Sequence, residues 1–312
     1  MSAEANGRAA LLMVAAMALF AIEDAFIKLL GAGMGVGLLL VLTGLPGAAI
    51  FWIRLRLRGG RMLSRDILRP VVLLRTLGEI IGAVGFVTAL AKGDLAATAA
   101  ILQVLPLALV MGGALFLGET VGWRRWLSVI LGFAGVLLIL RPGTQSFDPV
   151  MLWAVVGVFG LALRDLVTRL VPADLPSDIL SGAAYGAIVP AGIVLILLRS
   201  ETLAMPTPIE WVHVAGTVVF GVSGYAVMVA ALRMGEASMV APFRYARLGF
   251  ALIIAALVFG ERPDAITLAG AALIAGAGGY AMWREARLRG GGRQVVGSLL
   301  RASRRRRGDG TR

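Results

Sequence analysis

Polar residues are sparse along this chain, and they fall at regular intervals. Between them run apolar stretches of about 20 residues, the length at which an α-helix crosses the hydrocarbon core of a bilayer. Ten such stretches can be drawn, over 9–30, 36–53, 70–91, 95–117, 123–140, 149–171, 178–198, 211–233, 237–259 and 265–283. Turn-forming residues separate them: Gly59-Gly60, Gly118-Glu119, Arg141-Pro142-Gly143, Pro172 to Pro176, Pro206 to Pro208, and Gly260 to Pro263. Ala16-Met17-Ala18 resembles a signal-peptidase site, but the apolar run continues past it to Leu30 and carries Glu23 and Asp24. The first stretch is therefore read as a retained span.

Composition agrees with a polytopic membrane protein. Of the 312 residues 59% are hydrophobic and 15% charged, against about a quarter charged in soluble domains. The 41 glycines suit helices that pack closely in lipid. With no cysteine and a single histidine, His213, thiolate and histidine-cluster metal sites are excluded. No cofactor, metal or catalytic residue is expected.

The net charge of +12 is unevenly distributed. With ten spans and both termini inside, Arg8, the six arginines from Arg54 to Arg69, Arg124, Arg125, Arg169, Arg233 and the tail arginines all fall on the inner side. That makes 21 basic residues inside, against five outside: Lys28, Lys92, Arg141, Arg199 and Arg262. This bias places both termini in the cytoplasm and the protein in the cell inner membrane. It also accounts for the basic tail "RASRRRRGDGTR" as a segment lying near anionic lipid head groups. Nucleic acid is not an expected partner. Membrane lipid and a small-molecule solute are, and a homodimer stays open.

The chain repeats. "ALAKGDLAATAAILQVLPLALVMGGALFLGE" (89–119) aligns without a gap on "ALRMGEASMVAPFRYARLGFALIIAALVFGE" (231–261), with the glycine and Gly-Glu landmarks coinciding. At an offset one residue shorter, Asp24 matches Asp165 and Lys28 matches Arg169. Two halves of five helices each must run in opposite directions through the membrane. The expected fold is thus an all-α membrane protein with ten transmembrane helices in a 5+5 inverted repeat, an arrangement suited to alternating access.

"VLPLALVMGGALFLGETVGWRRWLSVILGFAGVLLILRPG" and "APFRYARLGFALIIAALVFGERPDAITLAGAALIAGAGGYAMWRE" resemble the two EamA repeats of the drug/metabolite transporter superfamily. The resemblance implies one repeat over 9–143, a second over 149–285, and a basic cytoplasmic tail over 286–312. It also implies movement of small organic solutes such as amino acids, riboflavin or S-adenosylmethionine. Many members carry a Trp-Gly pair in the first span, where this chain has Phe20-Ala21. A Trp-lined wall is therefore not implied.

Charges within a bilayer need a partner or a water-filled cavity. Asp24 and Lys28, Arg75 and Glu79, and Asp165 and Arg169 are each four apart on one helix face. The first and third of these pairs fall at opposite mouths of an inverted repeat and are candidates for gates. As the alternative, each is an intrahelical ion pair whose cation reaches the interface. Arg75 is expected at the cytoplasmic interface, with Glu79 a turn deeper and close helix contact at Gly78 and Gly82. Arg244 and Arg247 share one helix face in "VAPFRYARLGF", roughly 10–15 Å into the ninth span. They either pair with Glu79, Glu23 or Asp165, or face a cavity and hold an anionic, flat solute.

The candidate substrate-binding set is therefore Arg247, Arg244, Tyr245, Gln103 and Glu79, Tyr245 and Gln103 being repeat-related. The candidate gating or proton-coupling set is Asp24, Lys28, Glu23, Asp165 and Arg169. Gly118-Glu119 and Gly260-Glu261 read as helix terminations. Without an ATP-binding motif, an ion or solute gradient would drive transport. The alternative is an intramembrane lipid-modifying enzyme, which the lack of a histidine-rich or Gly-x-Gly-Asp motif disfavours.

Overall fold

The computed structural model describes residues 3–60, 65–172, 175, 177–234, 240–282 and 284, and among these it is helical with no strand. The helices are α1 (Ala3–Gly33), α2 (Val36–Leu57), α3 (Pro70–Lys92), α4 (Leu95–Leu102), α5 (Leu105–Phe116), α6 (Trp123–Leu140), α7 (Leu152–Thr168), α8 (Ser177–Arg199), α9 (Pro208–Met234), α10 (Ala246–Val258) and α11 (Ala265–Met282). Nine helical stretches among the described residues are long and apolar enough to cross a membrane, α4 and α5 together making one of them. The span expected over 237–259 is described from Val240 onward, as a 3-10 turn (Ala241–Tyr245) followed by the shorter α10. Its residues 237–239, and the basic tail over 286–312, lie outside the described residues.

The fourth span differs from the single helix the apolar run predicts. It breaks at Gln103-Val104 between α4 and α5. Pro106 sits in the first turn of α5 and has no N–H to give to the Leu102 carbonyl, so the helix must restart there. The second half has an irregular turn at the repeat-related place, where Pro242 lies in the 3-10 turn ahead of α10. Discontinuous helices at corresponding positions of two halves mark the place where side chains and backbone groups can face a solute.

The helices of the two halves pack in pairs: α1 on α9, α2 on α8, α3 on α7, α4 on α10, and α6 on α11. Exchanging the halves leaves this pairing unchanged. Glycines set the closeness. A Cβ on Gly78 of α3 would lie 2.6 Å from the Arg164 nitrogen of α7, and one on Gly135 of α6 would lie 2.8 Å from the Gly270 carbonyl oxygen of α11. Along α3, Gly78, Gly82 and Gly85 meet Arg164, Leu161 and Gly157 in descending order, so the two helices run antiparallel. The same descending order relates Gly37, Gly44 and Gly47 of α2 to Gly192, Ile188 and Tyr185 of α8.

Candidate functional site: a charged cavity between the halves

Between the halves lies a cavity of about 1120 Å³. Its wall brings together Glu23, Asp24, Glu79, Gln103, Asp165, Arg169, Arg244, Tyr245 and Arg247, which are all the sequence candidates except Lys28. Sequence spacing did not reveal how they pair.

Arg247 stands in the first turn of α10 and holds Asp24 of α1 through two bonds, Nε to Oδ2 at 2.9 Å and Nη2 to Oδ1 at 2.6 Å. Its guanidinium lies 5.3 Å from the ring centre of Phe20 and 5.6 Å from that of Phe86. Phe20 thus supplies a ring face where Trp is common in the resembling family. Asp24 was not among the expected partners of the arginine pair, yet it is 1% exposed and its charge is matched by this clasp.

Arg164 of α7 bonds Asp165 at 2.8 Å and Glu79 of α3 at 3.2 Å. Arg75 was expected at the interface but turns inward instead. It bonds the Thr168 hydroxyl at 3.1 Å and the Leu180 carbonyl at 3.2 Å, and it approaches Glu79 at 3.8 Å. Gln103 at the α4–α5 break donates to the Arg244 carbonyl at 3.3 Å, tying the two irregular turns together. The Tyr245 hydroxyl is buried and has no hydrogen-bond partner among the described residues.

Of the intrahelical pairs that spacing suggested, Arg75–Glu79 is kept, while Asp24, Lys28 and Arg169 find partners elsewhere in the chain. Lys28 bonds Glu261 at 2.7 Å and the Gly93 carbonyl at 2.6 Å. Glu261 also accepts from the Leu95 and Ala96 amides at the start of α4, at 2.9 and 3.0 Å. At the other end of the cavity Arg169 bonds Glu119 at 2.8 Å. These two ion pairs are repeat-related, since Lys28 matches Arg169 and Glu119 matches Glu261. Their surroundings differ: Lys28 and Glu261 side chains are 17% and 12% exposed, Arg169 and Glu119 side chains 47% and 42%. The cavity wall includes Arg169 and Glu119 but neither Lys28 nor Glu261, so the space extends to the first pair and stops short of the second. The reached mouth is at the end where Arg54 and Arg58 clasp Asp178.

Reasoning from charge spacing missed Glu119 and Glu261, which had been read as helix ends. Their identity at the end of both repeat copies was the available signal. The aromatic wall of Phe51, Tyr185, Tyr225 and Phe86 was missed too. Those rings come from four helices, and only tertiary packing brings them together.

Two related helical halves enclosing a solute-sized, charged cavity that reaches one end of the bundle define the class of a membrane transporter. The model of the EamA-like transporter family matches residues 7–141 and again 148–278, and the chain belongs to that family. Among its relatives is an S-adenosylmethionine uptake transporter of Rickettsia felis, 31% identical over 54% of this chain and 57% of the relative. The chain thus matches little more than half the length of that protein. A riboflavin transporter of Vibrio cholerae is 30% identical over 56% of this chain and 58% of the relative. A protein of known crystal structure that is 20% identical shares the fold, with a TM-score of 0.59 over 90% of this chain and 99% of that one. The chain is accordingly a member of the EamA-like transporter family with helices long and apolar enough to cross a membrane.

Proposed function

We propose that the protein is a secondary transporter of the inner membrane, carrying a small organic metabolite by alternating access between two inverted five-helix repeats, 9–143 and 149–285. The observation that carries this reading is the one-sided cavity, shut by Lys28–Glu261 and bordered at its reached mouth by the repeat-related Arg169–Glu119. The antiparallel inter-half helix pairs support the inversion. The excess of basic residues supports assigning the reached mouth to the cytoplasm. In this reading Lys28 and Arg169 are the cationic arms of two gates. Asp24 and Asp165 orient the arginines beside the cavity. Arg244, Tyr245 and Gln103 meet the solute, and Glu79 holds the floor through Arg164 and Arg75.

The solute proposed is one with an anionic group and a flat ring; S-adenosylmethionine, after which one relative is named, has both, and riboflavin, after which another is named, has the ring. The test is solute flux into proteoliposomes holding the purified chain. Uptake of labelled S-adenosylmethionine or riboflavin that is accelerated by the same solute on the far side supports exchange through one site. Equal flux in liposomes with and without protein, for both solutes, rejects it.

A further inference from the structure

The cavity charges do not all cancel within the protein. Asp24 is held by Arg247, Glu119 by Arg169, and Glu79 and Asp165 by Arg164 with Arg75 nearby. Two ionisable groups are left over. The Glu23 carboxylate, one residue before Asp24, lines the cavity with no hydrogen bond or ion pair among the described residues. The Arg244 guanidinium also lines it, and it too makes no such bond there; only the backbone carbonyl of that residue is engaged, by Gln103. Arg244 is exposed although it sits between the halves, because its exposed surface is cavity wall.

Their placement is asymmetric. At the offset that matches Asp24 to Asp165, Glu23 corresponds to Arg164. The second half thus carries a paired cation where the first carries an unpaired carboxyl group. Glu23 lies against α9 at Gly221, where the missing side chain leaves room for the carboxylate. Phe20 is on the same face of α1, one turn earlier. Phe51 stacks on Tyr185 and meets Tyr225 edge-on in the same wall, at centroid distances of 5.6 and 6.2 Å.

An unpaired carboxyl and an unpaired guanidinium line one chamber, and a solute bearing both signs would pair the guanidinium and favour the ionised carboxylate. We infer that the solute is a zwitterion with a flat ring, whose cationic centre is taken by Glu23 and whose carboxylate is taken by Arg244. This rests on the transporter reading above and narrows it. A solute carrying only an anion would leave Glu23 unmatched and repelled. A neutral ring would use neither group.

The probe series is S-adenosylmethionine, its decarboxylated form and adenosine, measured by equilibrium binding to the purified full chain in lipid nanodiscs. These carry both charges, the cation only, and neither. Affinity is expected to fall in that order. Glu23→Gln should weaken the two cationic probes about tenfold or more and leave adenosine unchanged, as expected for loss of a charge-assisted contact. Arg244→Gln should weaken S-adenosylmethionine alone. Variants are compared at matched monodispersity, and adenosine binding reports an intact ring site. Equal weakening of all three probes by Glu23→Gln, or no weakening, overturns the assignment. So does a wild-type protein that takes up riboflavin but binds none of the three; in that case the transporter reading survives and the zwitterion inference alone falls.

Discussion

Replacing Glu261 with Gln perturbs the shut mouth at the residue that joins most of its parts. Glu261 accepts three bonds, from Lys28 Nζ and from the Leu95 and Ala96 amides, with both charged side chains less than a fifth exposed. Glutamine keeps an acceptor for one amide but loses the ion pair and the negative charge at the start of α4. Lys28 keeps its bond to the Gly93 carbonyl. A charge-assisted bond contributes about 1.5–3 kcal/mol when largely desolvated, against about 0–1 kcal/mol for an exposed pair. Taking about 2 kcal/mol, the balance between mouths should move roughly 30-fold toward the other facing state.

The native chain lacks cysteine, so Ile27→Cys gives a single reporter in the cavity wall, one residue before Lys28. The rate at which a membrane-impermeant maleimide labels it from the side opposite the basic loops should rise by about that factor in Glu261→Gln. Glu119→Gln, acting on a pair that is nearly half exposed, should change accessibility at the other mouth less than about fivefold. An unchanged rate in Glu261→Gln, or an equal rise from both sides, would refute the latch.

Four further outcomes follow from the geometry. Asp24→Asn strips the partner from a buried guanidinium, a change that costs about 3–5 kcal/mol in comparable settings, so folded yield in the membrane should drop sharply. Arg244→Lys should leave yield near wild type and reduce flux, and the reverse ranking would exchange the roles of the two arginines. Gly160→Leu drives a side chain into the α3 backbone at Gly82 and should lower the melting temperature by overpacking, which a thermal scan in detergent reads directly. At the exposed end of α11, the Arg141 guanidinium and the Thr267 amide hold the Asp264 carboxyl below its usual range. Its contribution to stability is therefore present above the ordinary aspartate value of about 4 and is lost as pH falls. Asp264→Asn should flatten the acid-side fall in melting temperature, and an unaltered slope would discount the contact.

The helical class and most span limits were legible because a bilayer leaves few alternatives to a long apolar helix. The broken fourth span was legible in part, since Pro106 was present but its effect on the Leu102 bond was not drawn. The side chains that gather at the cavity were largely named by one rule, that intramembrane charge needs a partner. Who pairs with whom was not legible. Spacing of four put Asp24 with Lys28 and Asp165 with Arg169. In the fold Asp24 meets Arg247, 223 positions away in sequence, and Lys28 and Arg169 reach glutamates that the sequence presents as helix ends. Neighbours on one helix compete with partners from other helices, and the inter-half packing of glycine-rich faces decides the competition.

The proposed alternation of the two mouths is tested most directly by two spin-label distances in one protein. Cysteine pairs at the exposed positions Asp94 and Arg262 would report on the Lys28–Glu261 mouth, and pairs at Thr120 and Leu170 on the Arg169–Glu119 mouth. Introducing Glu261→Gln into each pair should lengthen the first distance and shorten the second, in matching fractions of the population. Two distances that lengthen together, or neither changing, would contradict alternating access through this cavity.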